Sequence, residues 1–108
     1  MTSKDYIDAN IAAWKKVAAR SDLIGKEVVL ANGRDSYLAK GTIRQIRVEN
    51  GYFLIEYNET IVHHEARRNG VQTLMYKIDE ERYPSQVGET IFCDLDDDSR
   101  QIRISTAN

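Results

Sequence analysis

The chain has 108 residues, of which 42% are hydrophobic and 30% are charged. A chain of this size can bury one hydrophobic core but is too short for two full domains, and its composition is that of a globular protein. The net charge of −2 argues against a generic binder of polyanions, which usually carries a positive excess. We therefore expect a single domain over residues 1–108.

The single cysteine, Cys93, excludes an internal disulfide and a thiolate metal cluster built from one chain. The first residues lack the apolar core of a signal peptide, and no apolar run approaches the length of a membrane span. These features predict a cytoplasmic protein that does not associate with membranes.

Charge is distributed unevenly along the chain. Residues 1–77 carry 12 Lys and Arg against 9 Asp and Glu, whereas residues 78–108 carry 3 against 8. The C-terminal third is therefore acidic.

The N-terminal segment predicts a helix over residues 4–20. Ser3 is a suitable cap, and Asp5 lies in the first turn, where the helix dipole favours a carboxylate. Apolar residues recur at helical spacing and form one stripe: Ile7, Ile11, Trp14, Val17 and Ala18. Because a helix of this length is marginal alone in water, the stripe is expected to pack on the sheet of the same chain or on a second copy.

From Leu23 onwards the period changes to two, which predicts a β-rich body over residues 24–105. The dipeptide Asn50-Gly51 is typical of a two-residue turn and predicts a hairpin over about 43–58. One register gives this hairpin an apolar face and a largely polar face. On the apolar face it pairs Val48 with Phe53, Ile46 with Ile55, and Arg44 with Tyr57.

Two further hairpins are predicted on the same grounds. The turn at Asn69-Gly70 would pair Ile61 with Ile78, His63 with Tyr76, and Glu65 with Leu74. A loop over residues 96–99 would pair Cys93 with Ile102 and Ile91 with Ile104. Gly41 interrupts a strand and indicates a bulge or corner, and residues 79–88 are expected to form a connector.

The predicted fold class is α+β: an N-terminal helix followed by an antiparallel, mostly hairpin-built sheet or a small SH3/Sm-like β-barrel. The segment 23–33, LIGKEVVLANG, closed by Gly41, Thr42 and Ile43, resembles the first half of the Sm-like small-barrel signature. In that family a short helix precedes a bent five-stranded sheet that assembles into RNA-binding rings. The similarity covers under a fifth of the chain and is a shared pattern, not membership.

Few residues indicate catalysis or metal binding. His63 and Glu65 would share one face of a strand and could hold a metal or act as acid and base, but no third ligand stands at a recognisable spacing. Residues 94–98 have the Asp-x-Asp-x-Asp start of a calcium loop without its Gly and Glu. Cys93 is expected in the core, as an inert thiol. We therefore predict no enzyme activity, no cofactor and no metal.

A mixture of cations and aromatic rings provides a second type of candidate surface, because single-stranded nucleic acid binds to such mixtures. The residues are Arg34, Tyr37, Lys40, Arg44, Arg47, Tyr52, Tyr57, Arg67 and Arg68. In the predicted register Arg44 and Arg47 lie on opposite faces, so a solvated charged face is the favoured interpretation.

The function favoured by these observations is a non-catalytic interaction module that binds a protein partner or itself. Its possible interaction surface comprises Trp14, Arg44, Tyr57, Arg67 and Arg68. One alternative is a small-barrel nucleic-acid-binding protein that uses the Arg and Tyr residues of the first hairpins. A metal-dependent enzyme at His63 and Glu65 is the least favoured alternative.

Overall fold

The structure is a computed structural model that describes residues 2–32, 36–62, 70–95 and 100–107. The elements in chain order are the helix α1 (Ser3–Ala18), a 3-10 turn (Ser21–Leu23), and strands β1 (Glu27–Asn32), β2 (Ser36–Glu49), β3 (Tyr52–Val62), β4 (Gly70–Lys77), β5 (Ser85–Val87), β6 (Thr90–Asp94) and β7 (Arg100–Ser105). The predicted α+β class is confirmed.

The helix begins one residue earlier than predicted, because Thr2 is its N-cap and Ser3 is not. The backbone N–H of Asp5 donates to Thr2 Oγ1 at 3.4 Å, and Thr2 N–H donates to Asp5 Oδ2 at 3.0 Å. These two bonds form a capping box. The bonds that the backbone N–H and the hydroxyl of Thr2 donate to the Asp5 carboxylate lower the pKa of Asp5. Ser3 Oγ instead donates to Glu80 Oε2 at 2.9 Å, which ties the helix start to the connector after β4.

The seven strands form one antiparallel sheet in the order β4-β3-β2-β1-β7-β6-β5. Strand β1 lies in the middle of the sheet. The β2–β3 hairpin and β4 lie on one side of it, and the β6–β7 hairpin and β5 lie on the other. Within the described residues β4 and β5 are the two edges and do not pair with each other. The sheet is therefore open, and the closed barrel expected as one possibility is not formed by these strands.

The hairpin of β2 and β3 has the predicted turn, with Asn50 at φ 53° and Gly51 at φ 77°. Val48 opposes Phe53 and Ile46 opposes Ile55, as predicted. The predicted pairing of Arg44 with Tyr57 is wrong, because Ile43 opposes Tyr57. A bulge between Ile43 and Gln45 leaves Arg44 as the extra residue and keeps an apolar side chain in the core.

The bulge indicated by Gly41 is confirmed, since the register of β2 shifts between Lys40 and Gly41. A Cβ atom at position 41 would collide with the carbonyl of Asn58 and lie 2.6 Å from Tyr57 Cδ2. Only glycine allows β3 to approach so closely at this point.

The predicted register around Asn69-Gly70 is wrong. Strand β3 is a single long strand that pairs with β2 along one edge and with β4 along the other. Tyr76 therefore opposes Phe53 and Leu74 opposes Ile55, instead of the predicted His63 and Glu65. This shift places the inward side chains of β4 against the same core that the β2–β3 hairpin covers.

The C-terminal hairpin has the predicted register, in which Cys93 opposes Ile102 and Ile91 opposes Ile104. The predicted connector over 79–88 is only partly correct, because its second half contains the edge strand β5. The α1 stripe packs on the sheet of its own chain: Trp14 is 0% exposed, and its ring stacks on Phe53 at a centroid distance of 4.2 Å.

The connector between β4 and β5 binds the helix. Asn10 Nδ2 donates to Asp79 O at 2.8 Å, and Trp14 Nε1 donates to Arg82 O at 3.1 Å. The guanidinium of Arg82 lies 5.8 Å from the ring centroid of Tyr76, which is itself stacked on Phe53. These contacts cover the end of the core next to β4 and fix the inner face of that strand.

Candidate interaction surfaces

Two residues of the predicted interaction surface lie in the core. Trp14 is 0% and Tyr57 is 4% exposed, so neither ring is presented to a partner. Trp14 belongs to the stripe that α1 packs on the sheet, and Tyr57 lies on the same face of β3 as Phe53 and Ile55, which points into the core. These two rings stabilise the fold.

Arg44 is on the surface, but its charge is engaged locally. Its Nε lies 3.3 Å from Glu56 Oε1, and its Nη1 donates to Asn58 Oδ1 at 3.5 Å. Arg47 pairs with Glu49 at 2.9 Å, and Lys40 pairs with Glu27 at 3.2 Å. Each exposed pair is worth little to stability, yet together they alternate the sign of charge on this face, and no continuous basic strip forms in these described residues.

Several predicted residues lie outside the described part of the chain. These residues are Arg34, His63, His64, Glu65, Arg67, Arg68 and Asp96–Asp98. The hypotheses that depend on them, nucleic-acid binding and a metal or acid–base site, stay predictions. Within the described ranges, no group of three His, Cys, Asp or Glu side chains is placed to hold a metal ion.

Cys93 is buried on β6, with Sγ 3.4 Å from the carbonyl oxygen of Asp94. Burial raises the pKa of its thiol from the ordinary 9.0 to about 12, and the neighbouring Asp94 carboxylate adds to the shift. The thiolate is the reactive form, so this thiol is not activated as a nucleophile.

Strand β4 is the longer of the two edge strands of the described sheet, and it pairs only with β3. It was not among the surfaces predicted from the sequence. Its outward-facing side chains are Val71, Thr73, Met75 and Lys77, all exposed. Met75 is 60% and Val71 is 49% exposed, two of the larger exposed hydrophobic groups of the described chain. Met75 lies beside Leu54 of β3, so the apolar surface continues from the edge into the sheet.

The direction of the backbone groups of β4 follows from the turn at Asn50-Gly51. In a two-residue hairpin the residues flanking the turn, Glu49 and Tyr52, form a hydrogen-bonded pair, so the N–H and C=O of Tyr52 point towards β2. Alternate residues of β3 then point towards β4. The bond from Ile78 N to Gly51 O, at 2.8 Å, belongs to this same series.

The same alternation determines which backbone groups of β4 have no partner among the described strands. Phe53, Ile55, Tyr57 and Glu59 of β3 oppose Tyr76, Leu74, Gln72 and Gly70 respectively. These β4 residues use their backbone groups towards β3. The intervening residues Val71, Thr73 and Met75 therefore direct their N–H and C=O groups away from the sheet, towards the open edge.

The other edge, β5, differs in length and surroundings. It has three residues, Ser85–Val87, and follows Pro84. A cleft of about 200 Å³ lies between β5 and the C-terminal part of α1, lined by Lys16, Val17, Arg20, Pro84 and Ile91 among others. Arg20 pairs with Asp22 at 2.8 Å. Short length, a neighbouring proline and adjacent cations are features that limit pairing at a sheet edge.

A sequence signal for the β4 edge exists in retrospect. Residues 70–76, GVQTLMY, are uncharged and carry apolar or β-branched side chains on both faces of the strand. That pattern is common to central strands, so only the strand order reveals that β4 has a free side. No helix of the described chain is long and apolar enough to cross a membrane. Comparison with protein-family models, curated proteins and solved structures finds no match.

Proposed function

We propose that the protein is a non-catalytic interaction module that binds a protein partner by accepting an additional β-strand at the edge of β4. The observation that supports this most directly is an eight-residue edge whose first seven residues carry no charge and no proline. Natural edge strands are normally blunted by lysine, proline, a bulge or short length. An edge without these devices is a template for pairing with another chain.

The chemistry of such an edge suits an extended peptide. Backbone groups of Val71, Thr73 and Met75 supply hydrogen bonds that do not depend on the partner's sequence, and alternate side chains supply selectivity. The exposed Val71 and Met75 lie on one face at a separation of four residues, so they favour a partner strand with apolar residues at matching positions.

The test replaces Met75 with the photo-crosslinking residue benzoylphenylalanine in cells that express the protein, and maps the crosslinked peptides by mass spectrometry. A matched control places the same group at Asp8, an exposed residue of α1. We expect crosslinks to protein from position 75 and not from position 8.

A second substitution ties the crosslinks to strand addition. Thr73→Pro removes an N–H that points to the open edge, a position where an edge strand tolerates proline. We expect this variant to fold and to lose the crosslinks from position 75. Leu74→Pro is the contrasting control, because its N–H points towards Ile55 and its loss should destabilise the sheet. Crosslinks that persist with Thr73→Pro would contradict binding by strand addition.

The small-barrel nucleic-acid alternative has weaker support. An Sm-like ring would require β4 of one copy to pair with β5 of the next, and β5 offers three residues. Crosslinks from position 75 to RNA, with none to protein, would replace our proposal by this alternative.

A further inference from the structure

We infer that the strand accepted at this edge is β4 of a second copy of the chain, so that two copies form one continuous antiparallel sheet around a two-fold axis at Thr73. This inference rests on the proposed function and names its partner. A two-fold interface requires that one surface be complementary to itself. The residues of β4 meet that requirement in one register.

In the register centred on Thr73, the outward-pointing backbone groups face each other. Val71 of one copy opposes Met75 of the other, Thr73 opposes Thr73, and Met75 opposes Val71. All three pairs are of the hydrogen-bonded type, because these residues direct their N–H and C=O groups to the edge. Each such pair exchanges two bonds, which gives about six intermolecular hydrogen bonds.

The side chains of this register are also complementary. On the outer face each exposed Met75 covers an exposed Val71, and Leu54 beside Met75 extends the apolar contact in both copies. On the inner face Tyr76 of one copy opposes Gly70 of the other, an aromatic–glycine pairing that stabilises edge glycines. Moving the centre by one residue, to Leu74, would instead oppose Val71 with Lys77.

The two edges of the sheet differ in a way that favours a closed dimer over a chain of copies. Pairing of β4 with β5 of another molecule would be head-to-tail and could continue indefinitely or close as a ring. The three residues of β5, with Pro84 before them and the cations of the α1 cleft beside them, offer a shorter template. Pairing of β4 with β4 of a second copy covers the long edge of both molecules, and only the short β5 edges remain at the ends of the combined sheet.

The first test is the mass in solution. Sedimentation equilibrium over a range of protein concentrations should show a reversible transition from the 12.4 kDa chain to a species of twice that mass. Thr73→Lys and Thr73→Asp each place like charges across the axis and should each weaken the dimer about fivefold or more. An equimolar mixture of the two variants should recover the dimer, because opposite charges then face each other.

The second test uses cysteines. Hydrogen-bonded antiparallel residues have Cα atoms about 5.5 Å apart, within disulfide range, so Thr73→Cys should form an intermolecular disulfide on mild oxidation. Val71→Cys is the matched control on the same strand and face. In this register its two copies lie roughly 14 Å apart and cannot be bridged. The buried Cys93 does not compete, since its pKa is raised to about 12.

The outcomes separate the two proposals. A wild-type chain that stays monomeric at every concentration overturns self-pairing, whereas the proposed function survives if position 75 still crosslinks to a different protein. A dimer that Thr73→Lys leaves intact, species larger than a dimer, or equal bridging by Thr73→Cys and Val71→Cys overturns the Thr73-centred interface. Crosslinks from position 75 to β4 of the same protein would support both.

Discussion

Truncation of Trp14 tests the contact that joins the helix to the sheet. Trp14→Ala removes a fully buried ring that stacks on Phe53 with an interplanar angle of 9°. Large-to-small changes of this kind cost about 3 to 5 kcal/mol, because the apolar contact is lost and a cavity remains. The carbonyl of Arg82 also loses the Nε1 donor at 3.1 Å, which adds about 1 kcal/mol.

That loss is a large part of the free energy of unfolding of a small domain, typically about 5 to 15 kcal/mol. The assay is urea unfolding followed by far-ultraviolet circular dichroism, at one fixed protein concentration so that self-association does not alter the comparison. Trp14→Phe is the matched control: it keeps a ring against Phe53 and loses the hydrogen bond, so we expect about 1 to 2 kcal/mol.

The reasoning would be refuted by an alanine variant that unfolds within about 1 kcal/mol of the wild type. Wild-type Trp14 emission at the wavelength of a fully solvated indole would refute it independently. Either result would mean that the stripe of α1 does not cover the sheet.

Four further predictions concern other parts of the chain. Gly41→Ala should destabilise the fold by about 1 to 3 kcal/mol in the same unfolding assay, because its Cβ would lie 2.6 Å from Tyr57 Cδ2 and 2.8 Å from the carbonyl carbon of Asn58. Cys93 should resist Ellman's reagent in the native protein and react once urea unfolds it, since burial raises its pKa to about 12; rapid native labelling would contradict that burial. The thiol of Cys93 has a lower pKa in the unfolded chain, 9.0, than in the folded protein, about 12. The difference in unfolding free energy between wild type and Cys93→Ala should therefore be at its maximum below pH 9.0 and decrease as the pH rises towards about 12. Finally, we expect no retention on a single-stranded oligonucleotide column at low salt; salt-sensitive binding that Arg67→Ala and Arg68→Ala weaken would favour the nucleic-acid alternative.

Local signals in the sequence predicted the elements that depend on short-range chemistry. Helical spacing predicted the Trp14 stripe. The dipeptide Asn50-Gly51 predicted both the turn and the pairing of Val48 with Phe53, because both residues of this turn type adopt positive φ. The predicted N-cap, Ser3, is one residue too late. Thr2 and Ser3 are both good capping residues, and the hydrogen bond between Thr2 and Asp5 shows that Thr2 is the cap.

Longer-range pairing could not be predicted in the same way. The interpretation of Asn69-Gly70 as a tight hairpin treated Ile61 and Ile78 as partners, because alternation alone is satisfied by many registers. The structure pairs β4 with the first part of β3, from Tyr52 to Glu59, and Gly70 itself opposes Glu59, so the register is not the one that a turn centred on Asn69-Gly70 would set. The bulge at Arg44 likewise depends on the need to bury Ile43 and Tyr57 together.

The candidate surface follows from that same pairing and was therefore missed. Had β4 paired as the sequence suggested, its odd-numbered residues would still have faced outward, but the strand would have been placed against residues 61–65 instead of against the hairpin that carries Leu54. The observed register brings Met75 beside Leu54 and turns the N–H and C=O of Thr73 to the edge. A site formed by backbone groups at a sheet edge depends on the strand order, so no residue type in the sequence indicates it. Arginines and histidines, in contrast, can be recognised as candidate binding residues whatever the fold. This is why the sequence predicted a binding module from the lack of catalytic motifs, the Trp14 stripe and the acidic C-terminal third, while the surface proposed for it follows from the strand order of the described sheet.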